Sequence, residues 1–475
     1  MGSTFGALNT ALSGLNAARQ GSAVTGQNIA NAATEGYTRQ RVTTSPMSPP
    51  ARVGLFSSGV TPGQGVQVDG IRRLGDIFLD ARVRATSADA GFAGARVKAL
   101  DGLEGILQEP GKNGTSAALQ KFWTSWQDVA NNAGAPAPSG VLLEEAGALA
   151  AKLAHGYTQI EAQFSTDRRQ LDLLTSEVNA AAVQVAELNA GIRSALNAGA
   201  SANELIDKRN LLTADIASLV GGTVRPLGDG TVEVLVGGNV LVSGDSANAL
   251  QVSGGYRLED ATASPVQVEW AHRPGSAVPL DGGRIGGMVS TLAPANGKAA
   301  GGDFAEAAAA YDAFAVRLAE SVNAVHRGGE TADGRTGLDF FRFDPALPAA
   351  KGLRVAAASA ADLATGRPGA GGKDGSNADA ISQIRHAADS PDRMWSGFVT
   401  ALAVTARADN QREDLAGVAA ASALGLQLSQ SSVDIDEESV SLLTYQHAYQ
   451  ASSRVITAID EMLDVLINRT GLVGR

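Results

Sequence analysis

The chain has 475 residues, enough for two to four compact domains, and a formal net charge of −11, which argues against a surface for binding nucleic acid. The absence of cysteine excludes disulfides, thiol nucleophiles and thiolate metal sites, and the five histidines lack metal-ligand spacing. The sequence contains no run of about 18 apolar residues, so we expect no membrane-spanning helix. The N-terminus lacks the pattern of a Sec signal peptide. We therefore expect no enzymatic activity, no cofactor or metal, and neither nucleic acid nor membrane as a partner.

The N-terminal 35 residues predict one helix with a narrow apolar seam, because leucine and isoleucine recur there at seven-residue spacing. The large side chains of this seam, which we take as candidate assembly residues, are Leu8, Leu12, Leu15 and Ile29. Small residues fill the interleaved positions, namely Ala11, Ala18, Thr25 and Ala32. We expect the helix to end near Gly36, because glycine readily adopts the left-handed conformation that ends helices, and the chain to become extended over 38–42.

A proline-rich segment follows at residues 43–66. Its four prolines lie among serine and glycine, so we expect a long extended connector without helix or regular sheet. The pattern becomes helical from Ile71 and continues, with loops, through 100–106, 117–130 and 141–220. The last of these ranges predicts a long amphipathic helix.

Residues 222–270 alternate between apolar and polar side chains and are interrupted by turns such as GDG and GG. This pattern predicts a meander of β-hairpins, and therefore an all-β insertion between two helical regions. An alanine-rich helix is predicted from about 302 to 326, and helices continue after a glycine-rich loop at 366–376.

The last helix has the clearest periodicity in the chain. Its strict heptad positions supply the candidate residues for assembly, which are Leu442, Tyr445, Tyr449, Ile456, Ile459, Leu463 and Leu466. At these positions the two tyrosines are interpreted as packing residues rather than as a ligand platform.

The two ends of the chain carry opposite charge. Residues 1–84 contain eight arginines, no lysine and four acidic residues, whereas residues 431–475 contain three arginines and seven acidic residues. The balances of +4 and −4 favour pairing of the two terminal helices, although each surface ion pair adds only about 0–1 kcal/mol. One buried stripe does not offset the ordering entropy of some forty residues, at about 1–2 kcal/mol each, so we expect the outer parts of both ends to become fully ordered only on assembly.

These observations predict an α+β multidomain fold in which long N- and C-terminal helices form an antiparallel helical bundle or coiled coil, with an inserted all-β outer domain. The predicted boundaries are 1–42 for the N-terminal helix and turn, 43–220 and 291–430 for the two parts of a helical domain, 221–290 for the β domain, and 431–475 for the C-terminal helix.

Three sets of polar residues suggest functional sites, but each set has a simpler structural interpretation. Asp434 and Glu437 fit the first turn of a helix better than a cation site. Asn28 and Asn31, near a helix end, are expected to bond backbone groups or adjacent subunits rather than to act in catalysis. A hydrolase in the β region would need converging acids, but the available ones lie at predicted turns, where acids are usually solvated. They are Asp229, Asp245, Glu259 and Asp260.

Both ends of the chain resemble a known family. The N-terminal LNTALSGLNAARQGSAVTGQNIANAATEGYTRQRV is similar to the signature of flagellar rod, hook and hook-associated proteins, and its GYTRQRV continuation is similar to the family of hook-associated protein 1. The C-terminal SVDIDEESVSLLTYQHAYQASSRVITAIDEMLDVLINRTGLVGR resembles the end of the same family. Weaker resemblance extends through FWTSWQDVA at 122, ELIDKRNLL at 204 and GGRIGG at 282. Another flagellar axial protein, or a coiled-coil fibre or adhesin, is the alternative.

The resemblance implies a secreted structural subunit at the hook–filament junction of the bacterial flagellum, exported through the flagellar type III channel with an uncleaved N-terminal signal. It implies that the terminal helices form inner tubes and that a β domain faces outward, and the chain length predicts one such domain. The implied partners are further copies of the chain in an axial ring, the hook protein, the second hook–filament junction protein and an export chaperone on the C-terminal helix.

Overall fold

The computed structural model describes residues 4–48, 63–297, 301–465 and 467, and the structural statements below concern these residues. The helices are α1 Thr4–Ala30, α2 Ile77–Leu107, α3 Thr115–Asn131, α4 Pro136–Asn197, α5 Asn203–Val220, α6 Gly283–Thr291, α7 Asp303–Arg327, α8 Ala349–Gly352, α9 Ser376–Ser382, α10 Pro391–Ser431 and α11 Ile435–Asp464. The strands are β1 Gln40–Pro46, β2 Val66–Arg73, β3 Thr223–Pro226, β4 Val232–Val236, β5 Asn239–Ser243, β6 Ser246–Ala247, β7 Leu250–Ser253, β8 Gln267–Trp270, β9 Arg273–Ala277, β10 Phe341–Phe343 and β11 Leu353–Val355.

The part from α2 to α10, together with strands β3–β11, forms one continuous hydrophobic core and is called the helical body here. Its densest region is aromatic: the ring of Phe122 on α3 lies 4.9 Å from that of Trp123 and 5.8 Å from that of Phe341, measured between centroids. Phe122, Trp123 and Trp126 are fully buried. Large rings that meet at these distances stabilise the packing beyond the area they bury.

The β region forms two antiparallel sheets, ordered β3-β4-β5-β6 and β7-β8-β9, that rest on α4. Two asparagines of α4 bind strand backbones. Asn179 donates to the carbonyl of Leu250 and accepts from its amide, both at 2.8 Å. Asn189 donates to the carbonyl of Val232 at 2.9 Å and accepts from the same residue's amide at 3.1 Å. The sheets are therefore attached to the helix through buried and half-buried hydrogen bonds as well as through apolar packing.

The GGRIGG segment, 282–287, begins α6 and lets this helix approach α2 closely. A side-chain carbon at Gly287 would lie 2.4 Å from the carbonyl oxygen of Phe92 on α2, so only glycine fits there.

The predicted fold class is confirmed: the chain is mostly helical, its terminal helices are paired, and small antiparallel sheets lie in an inserted region. The alternation over 222–270 corresponds to real hairpins, with Val232, Val234 and Val236 of β4 all buried. The GDG and GG segments are turns, and the alanine-rich helix is α7.

Three boundaries were predicted wrongly. The first helix ends at Ala30 rather than near Gly36, although Gly36 does adopt a left-handed φ of 75° within the turn that follows. Residues 43–46, assigned to an irregular connector, belong to β1, which pairs with β2 as an antiparallel hairpin. Ile71 lies in β2, and the next helix starts at Ile77. The strand was misread as a connector because proline, which usually indicates a loop, is tolerated at the end of an edge strand. At the other end of the predicted connector Val66 begins β2, and residues 49–62 lie outside the described residues.

None of the described helices combines the length and the apolarity that crossing a membrane requires.

Candidate functional site: the terminal helix pair and its polar junction

Helices α1 and α11, called the terminal pair here, pack against each other in antiparallel orientation. Three contacts fix their register. A side-chain carbon at Gly14 would lie 3.2 Å from the hydroxyl oxygen of Ser452, one at Gly21 would lie 2.3 Å from the ring of Tyr445, and the Asn28 amide donates to Glu438 at 3.0 Å. Each step is seven residues on both helices, as expected for a heptad seam.

The buried seam of α1 consists of small residues, whereas the sequence pattern had favoured its large apolar residues. Ala11, Ala18 and Thr25 are buried, in line with Gly21. Small side chains allow the two helix axes to approach closely, so that the Tyr445 ring fits over Gly21. The larger residues proposed from the sequence border this seam: Leu8, Leu15 and Ile29 are half-buried and Leu12 is 47% exposed.

On α11 the predicted heptad stripe faces α1, with one exception. Ile459 is buried, and the half-buried members of the stripe are Leu442, Tyr445, Ile456 and Leu463. Tyr449, interpreted as a packing residue, is 43% exposed. Leu466 lies outside the described residues.

Asn28 connects the terminal pair to the β1–β2 hairpin. It is almost fully buried, and its side-chain oxygen accepts from the amide of Gln40 at 3.0 Å while its side-chain nitrogen donates to the carbonyl of the same residue at 2.9 Å. The same nitrogen donates to Glu438 of α11, and the Tyr37 hydroxyl donates to the Asn28 oxygen at 2.9 Å. The amide is thus fully satisfied, and the expectation that Asn28 bonds backbone groups is confirmed. Asn31 does so too, by donating to the carbonyl of Gln27 at 3.0 Å.

Arg39 makes the charged connection between the hairpin and α11. Its Nε donates to Glu438 and its Nη1 to Glu437, each at 2.7 Å. The side chain of Glu438 is 4% exposed, whereas that of Glu437 is 62% exposed, so the two ion pairs differ sharply in their contact with solvent. Asp434 caps α11 by accepting from the amides of Asp436 and Glu437, which confirms the capping interpretation.

The start of α5 supplies the third side of the junction. Asp207 accepts from Arg73 of β2 at 2.7 Å and from the amide of Thr38 at 3.1 Å. Glu204, one turn earlier, accepts from Gln40 and from Gln27, each at 3.2 Å. Both acids belong to the ELIDKRNLL segment, which resembles the family but for which no role was predicted.

We call this network the polar junction and define it by Asn28, Tyr37, Arg39, Gln40, Arg73, Glu204, Asp207 and Glu438. Burial, and next the charges of Glu204, Asp207 and Glu438, raise the pKa of Tyr37 to about 12. Its hydroxyl therefore keeps its proton at neutral pH and remains a donor to Asn28. The junction fixes how the terminal pair leaves the helical body. Its members are spread over 400 residues of chain, so their meeting has no local sequence signal.

The acids weighed for a hydrolase lie at local turns and in a short 3-10 helix, 258–260, that contains both Glu259 and Asp260. Asp229 accepts from the amide and hydroxyl of Thr231, Asp245 pairs with Arg193, and Glu259 pairs with its neighbour Arg257. Across the described ranges, no three histidine, aspartate or glutamate side chains are grouped so as to hold a metal ion.

Comparison with known proteins identifies the family. The profile described as "Flagellar hook-associated protein FlgK helical domain" matches residues 100–341, which is half of the chain. The chain belongs to the FlgK family. The profile "Flagella basal body rod protein" matches residues 8–38, and "Flagellar basal body rod FlgEFG protein C-terminal" matches residues 427–469. These two matches coincide with the two members of the terminal pair.

Similarity to individual proteins extends over the whole chain. "Flagellar hook-associated protein 1" of Bacillus subtilis is 28% identical over 509 aligned residues that cover all of both chains. The protein of the same name from Salmonella typhimurium is 28% identical over 70% of this chain and 59% of its own. The solved structure of "the flagellar hook junction protein FlgK from Burkholderia pseudomallei" superimposes with a TM-score of 0.63 at 16% identity, over 74% of this chain and all of the other.

As a FlgK family member, the chain is a structural component of the extracellular axial structure of the bacterial flagellum, located at the hook–filament junction. The expectation of a structural, non-enzymatic family is confirmed, and so is assembly with flagellar axial proteins.

Proposed function

We propose that the terminal pair is the surface through which this chain joins its neighbours. These are further copies of the chain in an axial ring, the hook protein on one side and the second hook–filament junction protein on the other. The observation that supports this most directly is one-sided packing. Helix α11 packs mainly against α1, and its other face exposes large apolar side chains. Those with at least half of their surface exposed include Val440, Leu443 and Met462.

Exposed apolar side chains on a helix that projects from a folded body mark an interaction surface. On α1 the same holds for Phe5 and Leu12. Burying one such side chain contributes about 1.5–3 kcal/mol, so a few of them across a ring of subunits supply the affinity that the pair lacks by itself.

The test is complementation of a deletion in the parent bacterium. Loss of filaments, with hooks retained and unpolymerised flagellin outside the cell, is expected for the deletion. The variant Val440→Ser/Leu443→Ser is expected to fold and be exported yet to restore few filaments. A matched control is Leu173→Ser, which removes a side chain 70% exposed on α4 of the helical body. If the α11 variant restores filaments as fully as the control, the proposed surface is wrong.

We further propose that an export chaperone covers the heptad stripe and outer face of α11 before assembly, since the apolar groups exposed there invite aggregation. The same groups explain why the outer parts of α1 and α11 should become fully ordered on assembly. Amide exchange of the free subunit tests this: strong protection throughout residues 4–35 would contradict it.

The division into an N-terminal helix and turn (1–42), a two-part helical domain (43–220 and 291–430), an outer β domain (221–290) and a C-terminal helix (431–475) is kept as a proposal. An outward-facing β segment is supported by β9, all five residues of which are exposed. Limited proteolysis of assembled flagella should cut in this segment before it cuts in the terminal pair.

A further inference from the structure

Helix α10 has a packed face and an open face. The packed face lies mainly on α2 and includes Ala406 and Ala423, which are buried. On the opposite face three large apolar side chains are open to solvent: Val404, Leu415 and Val418 are 64%, 73% and 69% exposed. We call this face the outer seam of α10. Apolar side chains that recur along one side of a long helix indicate a surface for a partner.

The outer seam follows a seven-residue repeat of its own. One set of positions is 401, 408, 415 and 422, and a second set, three residues further on, is 404, 411, 418 and 425. None of the residues at these positions is charged, although solvent-facing helix surfaces usually carry charges. They are Ala401, Val404, Ala408, Gln411, Leu415, Val418, Ser422 and Gly425. Two interleaved heptad positions without charge are typical of a helix that packs against another helix, so the partner surface is helical.

The charged residues that border the outer seam are unevenly used. Arg407 and Asp414 lie along one border, seven residues apart, and Arg412 lies along the other. Arg412 pairs with Asp409 of its own helix at 2.6 Å. Arg407 and Asp414 are both exposed, and neither makes a hydrogen bond or an ion pair to any residue that the structure describes. Residues at such border positions set the choice and the orientation of a partner helix.

The border charges favour a second copy of the same seam in antiparallel orientation. In a parallel pair, Arg407 would face Arg412 of the second copy, and like charges at these positions repel. In an antiparallel pair, Arg407 faces Asp414 of the second copy. Because the pair is symmetric, Asp414 faces Arg407 of the second copy in turn, so two ion pairs form. The seam is therefore complementary to itself in one orientation.

The same charges select one register. When Arg407 faces Asp414, the apolar positions also meet, since Val404 packs against Leu415 of the second copy and Leu415 against Val404. A slip of one heptad in one direction places Asp414 opposite Asp414, and a slip in the other direction places Arg407 opposite Arg407. Both slips bring like charges together, which disfavours them.

We propose that two free subunits pair in antiparallel orientation through the outer seam of α10, in the register that joins Arg407 to Asp414. Such a contact is two-fold symmetric and uses the same surface of both copies. Copies in the axial ring proposed above all point the same way along the axis, so this contact belongs to the free subunit and opens before assembly. It covers apolar side chains that would otherwise promote aggregation. The contact does not depend on the terminal pair.

Sedimentation equilibrium of the full-length subunit with reversed charges is the first test. Arg407→Glu turns both ion pairs into repulsions and is expected to weaken dimerisation about tenfold, a change equivalent to about 1.4 kcal/mol. Asp414→Arg should do the same, and the double variant Arg407→Glu/Asp414→Arg should restore the affinity of the parent chain. A parent chain that stays monomeric throughout the concentration range contradicts the proposal. A dimer that does not respond to these changes uses another surface and contradicts it as well.

Cysteine cross-linking tests the register, and the chain contributes no cysteine of its own. The variant Val404→Cys/Leu415→Cys places its two cysteines about 16 Å apart within one helix, at about 1.5 Å per residue, too far for a bond within one chain. Across the antiparallel pair they are adjacent, so mild oxidation of the free subunit is expected to give a disulfide-linked dimer.

Each single variant is a matched control, because its two cysteines then lie about 16 Å apart across the pair. Single variants that cross-link as readily as the double variant would rule out this register. If the double variant is linked only in assembled hook–filament preparations, the outer seam serves the axial structure and the proposal is wrong, while the role of the terminal pair would stand.

Discussion

The helical body and the terminal pair are both helical, but they are stabilised in different ways. The body packs large aromatic rings such as those of Phe122 and Trp126 into a core that excludes water on all sides. The terminal pair packs alanine, glycine and threonine of α1 against one face of α11 and leaves the opposite faces to solvent. The fully packed helical body thus carries a terminal pair whose outer faces are not packed, and the polar junction holds the two at a defined register. The following experiments measure that difference.

The largest effect is expected in the aromatic core. Phe122→Ala leaves a cavity among four aromatic rings and should lower the free energy of unfolding of the body by about 3–5 kcal/mol in urea titration. Leu173→Ala, at an exposed site on α4, should change it by less than about 0.5 kcal/mol. Equal effects of the two substitutions would mean that the core is not where the body is stabilised.

The polar junction offers two adjacent glutamates in different surroundings. Glu438→Ala removes a buried acceptor of Arg39 and Asn28 and should lower the free energy of opening of the terminal pair by about 1.5–3 kcal/mol, measured by amide exchange of α1. Glu437→Ala removes an exposed ion pair and should cost about 0–1 kcal/mol. If the two variants exchange alike, the junction does not control the pair.

Close approach of α1 and α11 is tested at two glycines of one helix. Gly21→Leu places a side chain where the Tyr445 ring lies and should cost the pair about 1–3 kcal/mol through overpacking. Gly26→Leu is the control, because nothing lies within 4 Å of a side-chain carbon there. Tyr445→Ala should rescue the Gly21 variant and not the control. The melting temperature of the body should stay unchanged in all of these variants.

The smallest effect concerns pH and the body alone. Buried His326 donates from Nδ1 to the carbonyl of Leu338 and accepts at Nε2 from the amide of Ala364, so it is neutral, and burial lowers its pKa. The unfolded chain then binds the proton more readily, so this contribution is complete above about pH 6.5 and is lost as the pH falls below it. The unfolding free energy should decrease by at most about 1.4 kcal/mol per pH unit over that range.

His326→Gln keeps a donor and an acceptor and should flatten this part of the pH profile, whereas His447→Gln, at an exposed site on α11, should leave it unchanged. A profile of the His326 variant with the same slope as the parent would assign the pH dependence to other groups.

Periodicity along the chain was sufficient to predict the helices and strands whose apolar residues recur at a regular spacing. The heptads of α11, the alternation in β4 and the alanine-rich α7 all appear as predicted, because a regular element shows its buried face at a fixed spacing. The β1–β2 hairpin was missed, because proline and serine at an edge strand read as loop.

The amino-acid sequence by itself determined the paired ends, the β insertion and the family of this protein, since each depends on local pattern or on a continuous motif. The tertiary structure alone decided which side of α1 is buried, because small residues contribute little to an apolar pattern and are buried only where a partner helix such as α11 packs closely against them. It also decided that Asn28, Arg39, Asp207 and Glu438 form one junction. Such polar groups come from distant parts of the chain, and only folding brings their partners within hydrogen-bonding distance.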